Sequence, residues 1–327
     1  MDFVNTVRRL IAFSKAHPWV VIATQLVILA VFFVSVGSAI QGSFKDAGND
    51  LRNANPVYFV LASAALAGYY LVFVFGWMRI LADWGIHISY PAALRAEMVS
   101  MLAKYVPGGV WTPAARVVAA RRAGVTDAAL VTVSILIEAG ISAVAGVLVF
   151  VVSLAWVRGV NAPIAPLIAF AVVVALLLHP RIFCPVASRV LHKLGHGSVP
   201  PLRTSTMAFL LLFYCGTWVI GGTALWLLLR SVGGHPGPES IVFLGGVAAV
   251  GAIVAVLAVF APSGLGPREA SMYGLIASTT ITSQGAALGA TVLNRVAITV
   301  VEVLLLVVGG FVLRRSEREP TAQPSEG

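Results

Sequence analysis

Seven stretches of the chain are apolar for long enough to cross roughly 30 Å of hydrocarbon, which takes about 20 helical residues: 19–40, 57–80, 128–156, 163–179, 207–229, 241–260 and 286–313. The stretch 266–280 is a weaker candidate. Between these runs the pattern breaks twice in the same way, at Tyr105-Val106-Pro107-Gly108-Gly109-Val110-Trp111-Thr112-Pro113 and at Phe260-Ala261-Pro262-Ser263-Gly264-Leu265-Gly266-Pro267-Arg268-Glu269. Each motif predicts a helix that stops and restarts, with Pro113 or Pro267 at the restart, where a missing N–H costs nothing. Broken helices in corresponding halves of a hydrophobic chain point to a transport site, because their ends leave backbone groups free to hold a ligand.

The arms around the first break differ from a full span. Residues 91–105 place Leu94, Met98, Met101, Leu102 and Tyr105 on one helical face, with Arg95, Glu97, Ser100 and Lys104 elsewhere. The helix expected from Pro113 to about Ala123 covers about 16 Å at ~1.5 Å per residue, half the hydrocarbon thickness. The two arms suit a re-entrant hairpin that ends at Arg121, Arg122 and Gly124. Three spans then intervene, so the second motif has the opposite orientation and the two tips point at each other. Its first arm, 241–260, is apolar enough to cross completely, which leaves open a hairpin or two full spans over 241–280. The predicted fold is all-α, a polytopic membrane helix bundle of about 6–8 spans with two inverted re-entrant or broken-helix motifs. A single domain is expected over 1–313, followed by a disordered cytoplasmic tail over 314–327.

Composition supports the membrane reading, with 59% hydrophobic and 11% charged residues. The formal charge of +9 does not indicate nucleic acid, because the basic residues occupy short loops of one phase. Arg8, Arg9 and Lys15 precede the first span, Arg181, Arg189, Lys193 and Arg203 lie between the fourth and fifth, and Arg314, Arg315 and Arg318 follow the last. Loops of the other phase carry only Lys45, Arg52, Arg158 and Arg230. The positive-inside rule then places both termini in the cytoplasm of a cell whose cytoplasmic membrane holds the protein. The first apolar run is too long for a secretory h-region, so an uncleaved helix is expected despite Gly37-Ser38-Ala39. Cys184 and Cys215 imply neither a disulfide nor a metal site. Histidines 179, 192, 196 and 235 lack metal-ligand spacing, so no metal and no cofactor are expected.

The half-helix starts at Thr112-Pro113 and Gly266-Pro267 offer N–H groups and a positive dipole end, a setting that attracts phosphate. Arg116 and Arg268 lie at or within a turn of these starts and add charge. The bland alternative is that the prolines and glycines only kink packed helices. Glu138, Arg295 and Glu302 fall inside apolar spans, where a charge costs roughly 2.5–3.5 kcal/mol. Glu138 follows Pro107 by 31 residues and Arg295 follows Pro262 by 33, which suggests a Glu138–Arg295 pair across the repeats, with helix packing as an equal alternative. Arg295 and Glu302 share a face but stand about 10 Å apart in rise. Lys104, beside the first tip, is expected to snorkel or touch a headgroup. Arg121 and Arg122 suit a lipid-anchored helix end, and Gly245, Gly246 and Gly251 suit close helix packing.

At these residues the chain resembles the flippase-like family named for the transmembrane region of lysylphosphatidylglycerol synthase. The resemblance lies in Lys-Tyr-x-Pro-Gly followed by an arginine over 104–116, in Pro-x-Gly-Leu-Gly-x-Arg-Glu over 262–269, and in a following helix with the buried Arg295. It covers nearly the whole chain. Ser263 stands where glycine is common. The resemblance implies a lipid-translocating fold, used in the multiple peptide resistance factor proteins to move aminoacylated phosphatidylglycerol beside a soluble transferase domain that is absent from this sequence. Relatives standing alone go with glycolipid or polyprenyl-phosphate pathways.

The expected function is therefore a flippase, not an enzyme, that moves an anionic phospholipid or a polyprenyl-phosphate-linked glycolipid between leaflets. The headgroup site expected from motif and charge comprises Lys104, Pro107, Gly108, Gly109, Thr112, Arg116, Pro262, Gly264, Gly266, Arg268 and Glu269, with Glu138, Arg295 and Glu302 as buried charges. Backbone N–H groups at Gly109, Thr112, Gly264 and Gly266 would join the two arginines on the phosphate. The partners are membrane lipids with anionic headgroups, and a glycosyltransferase or synthase under the alternative, a non-transporting scaffold subunit. A membrane-embedded transferase is disfavoured by the lack of a carboxylate-rich loop with metal-ligand spacing.

Overall fold

A computed structural model describes residues 51–104, 111–157, 159–160, 164–193, 197–258 and 261–316, apart from the side chains of Leu102, Pro262 and 309–316. The expected span at 19–40, the tip residues Pro107, Gly108 and Gly109, and most of the tail lie outside these residues. The described residues form α-helices and no strand: α1 (Pro56–Asp83), α2 (Tyr90–Ala103), α3 (Trp111–Arg122), α4 (Ala128–Ser153), α5 (Ile164–Leu178), α6 (Pro180–Lys193), α7 (Thr204–Ser231), α8 (Ser240–Leu257), α9 (Pro267–Ala277) and α10 (Gln284–Ser316). Five of them, α1, α4, α7, α8 and α10, are long and apolar enough to cross a membrane, and α5 with α6 makes a sixth if that pair, bent by 67°, counts as one span. Helix α10 runs on into the expected tail, as far as Ser316.

Helix starts are fixed by local chemistry. Asn55 accepts from the Val57 N–H at 2.9 Å with Pro56 at the first helical position of α1, and Asp127 accepts from the N–H groups of Ala129 and Leu130 at 3.0 and 2.9 Å to start α4. Helix α7 lacks a side-chain cap of its own. Asp83, at the end of α1, supplies it by accepting from the Arg203 N–H at 2.9 Å and the Thr206 hydroxyl at 2.8 Å.

These end contacts sort the helix termini onto two faces. On one face the Asn55 N–H donates to Ser231 at 2.8 Å, the Trp156 indole donates to Glu239 at 3.1 Å, and Gly159 lies beside Ser278. The start of α1, the ends of α4 and α7, the start of α8 and the end of α9 therefore share this face. The opposite face holds the end of α1 and the start of α7, and hence also the start of α2, which follows α1 after a short turn, and the start of α4. The hairpin α2–α3 thus opens on one face and the hairpin α8–α9 on the other, and the arms of each pack together. The turn of the second hairpin reaches the end of α2, where the Ser263 N–H donates to the Lys104 carbonyl at 3.0 Å. The expected inversion holds, and the second turn approaches the described end of the first hairpin's leading arm.

The question left open over 241–280 is also resolved. Helix α8, with 18 residues, has spanning length, whereas α9, with 11 residues, does not, and it returns to the face from which α8 started. The second motif is a re-entrant hairpin with one long and one short arm.

Glycines hold the frame together. A Cβ at Gly245 would stand 2.5 Å from the Trp218 carbonyl, and one at Gly246 would stand 2.5 Å from the Phe150 Cα, so α8 touches the backbones of α7 and α4 directly. Gly251 gives room to Met272 of α9. The packing role expected of these three glycines is what the structure shows.

Candidate functional site

Two groups of charges lie at the hairpins. The first centres on Arg116 of α3, whose Nη1 pairs with Glu138 of α4 and whose Nη2 pairs with Glu97 of α2. The guanidinium lies 5.1 Å from the Trp77 ring centroid, within cation–π range. Trp77 donates from its indole to Ser134 at 2.8 Å, and the Tyr214 hydroxyl donates to Glu138 Oε1 at 3.1 Å. Tyr214 reaches this position over Gly76, where any Cβ would lie 2.0 Å from the hydroxyl oxygen. The charged side chains are sealed, with only 5% exposure for Arg116, 7% for Glu97 and 4% for Glu138.

The second group surrounds the touching tips. Lys104 Nζ pairs with Glu302, which also accepts from the Tyr70 hydroxyl at 2.7 Å. Arg295 donates to the Ser263 carbonyl at 3.2 Å and lies 3.6 Å from Glu269 Oε1. Glu269 Oε2 accepts the Gly266 N–H at 2.7 Å, the reciprocal half of a capping box at the start of α9. Among the described residues Arg268 forms no ion pair and its Nε is buried without an acceptor, yet its charge reaches Tyr69, Tyr70 and Lys104. This group is more open, with exposures of 24% for Lys104, 24% for Glu269 and 17% for Arg295. It sets three cations, Lys104, Arg268 and Arg295, against two carboxylates, Glu269 and Glu302.

Several sequence expectations change. Glu138 pairs with Arg116 and Tyr214 instead of Arg295, because α3 folds back against α4 and brings a nearer cation. Arg116 is buried and paired with two carboxylates, and its Nε has no acceptor among the described residues. The Gly264 N–H donates to Ala261 at 2.9 Å and the Gly266 N–H to Glu269, so neither is available to a phosphate. The start of α9 is already occupied by a carboxylate of its own. Lys104 joins an ion pair instead of snorkelling. Thr112 is the second residue of α3. Pro262 and Gly264 form the 3-10 turn between α8 and α9.

Glu97, Tyr70, Trp77 and Tyr214 were not foreseen. The signal for Glu97 was present, since Ala93, Ala96, Glu97 and Ser100 recur at helical spacing and are all buried. In hydrocarbon the small and polar face of a helix turns inward. Among the described residues no group of three His, Cys, Asp or Glu side chains is placed to hold a metal ion.

No curated protein matches the chain. The model of the family described as the lysylphosphatidylglycerol synthase TM region matches it over residues 20–314, a range that contains both hairpins and both charge groups, and the chain belongs to that family.

Proposed function

We propose that the protein is a lipid flippase of the cytoplasmic membrane, with both termini cytoplasmic, that moves an anionic phospholipid or polyprenyl-phosphate-linked glycolipid between leaflets and catalyses no covalent chemistry. The observation that carries this reading is Arg268, a cation without a carboxylate partner where hairpins from opposite faces touch. A guanidinium left unpaired inside a helix bundle is costly, and a phosphate offers it the planar, charge-assisted contact it lacks. Lys104 and Arg295 reinforce the field from within ion pairs that a headgroup can perturb. The lipid tails remain in the bilayer while the tips alternate between leaflets. Arg116 takes no part in binding; it holds the first hairpin to α4.

The test is leaflet exchange in vesicles, with fluorescent phosphatidylglycerol and a polyprenyl-phosphate analogue as anionic probes and phosphatidylcholine as control. Wild-type protein should accelerate exchange of at least one anionic probe, Arg268→Ala should lose that acceleration, and Arg268→Lys should retain part of it. Full activity in Arg268→Ala would overturn the phosphate contact. No exchange of either anionic probe by wild type would replace the flippase with a scaffold for a glycosyltransferase or synthase, for which the closed Arg116 group is sufficient structure.

A further inference from the structure

The Arg116 group holds one guanidinium between two carboxylates, and that imbalance is built into the fold instead of being left to solvent. Both Glu138 oxygens receive donors, Oε2 from Arg116 and Oε1 from Tyr214, so Glu138 serves as a full acceptor. Glu97 is treated differently. Its Oε2 lies against Arg116 as an ion pair but has no hydrogen bond, and Arg116 is its one ion-pair partner among the described residues.

Among the described residues no second cation forms an ion pair with Glu97 or Glu138, and Arg295 of α10 pairs with Glu269. From α1 the group meets Trp77 and the field of Tyr69, from α4 Ser134, and from α7 Tyr214. Helix α8 contributes no titratable side chain. Arg268 of α9 is sensed by Tyr69, between the two groups. Arg95, two residues before Glu97, sits on the other side of α2, and Lys104 and Glu302 neutralise each other. Two buried carboxylates sharing a single cation leave a net negative charge in a medium that solvates it poorly.

We propose that Glu97 is a proton-binding site: a proton taken up by its carboxylate neutralises the excess charge and weakens the clip between α2 and α3. The step is a simple transfer from hydronium to carboxylate, with water as the other product. Once Glu97 is neutral, its contact with Arg116 loses its charge-assisted character, while Arg116 stays paired with Glu138. The first hairpin then has one tether, to α4, instead of two. If the protein is a flippase, as proposed above, this couples opening of the first hairpin to proton uptake.

Infrared titration of the purified full chain tests the site without any transport. Wild type should show the carbonyl stretch of one protonated carboxylic acid, growing in as pH falls and moving on exchange into deuterium oxide. Glu97→Gln should abolish the band, Glu97→Asp should shift it, and Glu138→Asp should leave its position unchanged. A wild-type protein with no such band while folded, a band that survives Glu97→Gln, or a band displaced by Glu138→Asp would each overturn the assignment. In vesicles, a pH gradient should speed wild-type exchange of the anionic probe severalfold and leave Glu97→Gln indifferent. Exchange by wild type that ignores the gradient would overturn the coupling, while absence of exchange would count against the flippase reading and leave the infrared result standing.

Discussion

The two hairpins carry similar residues to different ends. Under the first, every charge is sealed and Arg116 is paired with Glu97 and Glu138 beneath the Trp77 ring, with only its Nε lacking an acceptor among the described residues. Around the second, Lys104, Glu269 and Arg295 keep partial exposure while Glu302 is sealed, and Arg268 has no carboxylate partner among the described residues. Sequence symmetry offered Arg116 and Arg268 as equals, one near the start of each half-helix. Packing separates them, because α3 lies against α4 with Glu138 on the facing side, whereas α9 directs its own carboxylate, Glu269, to its backbone and to Arg295. An arginine held between carboxylates and an arginine without one are distinguished by the side chains that neighbouring helices bring, which no local motif encodes.

The sharpest way to break this comparison is to remove each arginine in turn. Arg116→Ala should leave Glu97 and Glu138 buried without their cation and cost roughly 3–5 kcal/mol, the range for breaking a buried pair. Low abundance and a markedly lowered Tm in detergent should follow. Arg268→Ala removes a charge that has no protein partner, so its Tm should stay near wild type or rise slightly. Equal destabilisation by the two substitutions would erase the distinction between the hairpins.

Double-mutant cycles sharpen the same point at smaller amplitude. Arg116→Met with Glu138→Gln should show a coupling of about 1–3 kcal/mol, within the range for residues that share one ion-pair network. Glu138→Gln with Arg295→Met should be additive to within about 0.5 kcal/mol, since those side chains belong to separate groups. Thermal unfolding of the four variants of each cycle measures both. Strong coupling between Glu138 and Arg295 would restore the pairing that sequence symmetry suggested.

Much of the architecture was legible because hydrophobic length and proline-glycine breaks act locally. The spans expected at 57–80, 128–156, 207–229, 241–260 and 286–313 match α1, α4, α7, α8 and α10. The parity of intervening spans correctly set the two hairpins in opposite directions. Partners were much less legible. The aromatic and carboxyl groups that hold the charges come from far along the chain, as Tyr70 does for Glu302 and Tyr214 for Glu138. Availability of backbone N–H groups at Gly264 and Gly266 also depended on a turn and a capping carboxylate that the motif alone does not reveal.

The smallest expected effect lies at the contact between the tips. Ser263 has a φ of 54°, and among the described residues it is the one non-glycine residue in the left-handed region. It is held there from both sides, by its N–H on the Lys104 carbonyl and by its carbonyl on Arg295, and the neighbouring Gly264 has a φ of 65°. A side chain in that region costs about 1 kcal/mol relative to glycine, part of which is returned because glycine loses more freedom on folding. Ser263→Gly should therefore leave stability unchanged or raise it by up to about 1 kcal/mol, with both tip hydrogen bonds retained because they use backbone atoms of the residue. Gly264→Ala is the opposing control, since its Cβ would lie 2.1 Å from that of Ala255 in the facing arm, and it should lower the Tm clearly. A clear loss of stability in Ser263→Gly would mean that the serine hydroxyl contributes to the tip, and the second hairpin would then be as tightly specified at its turn as the first is at its buried arginine.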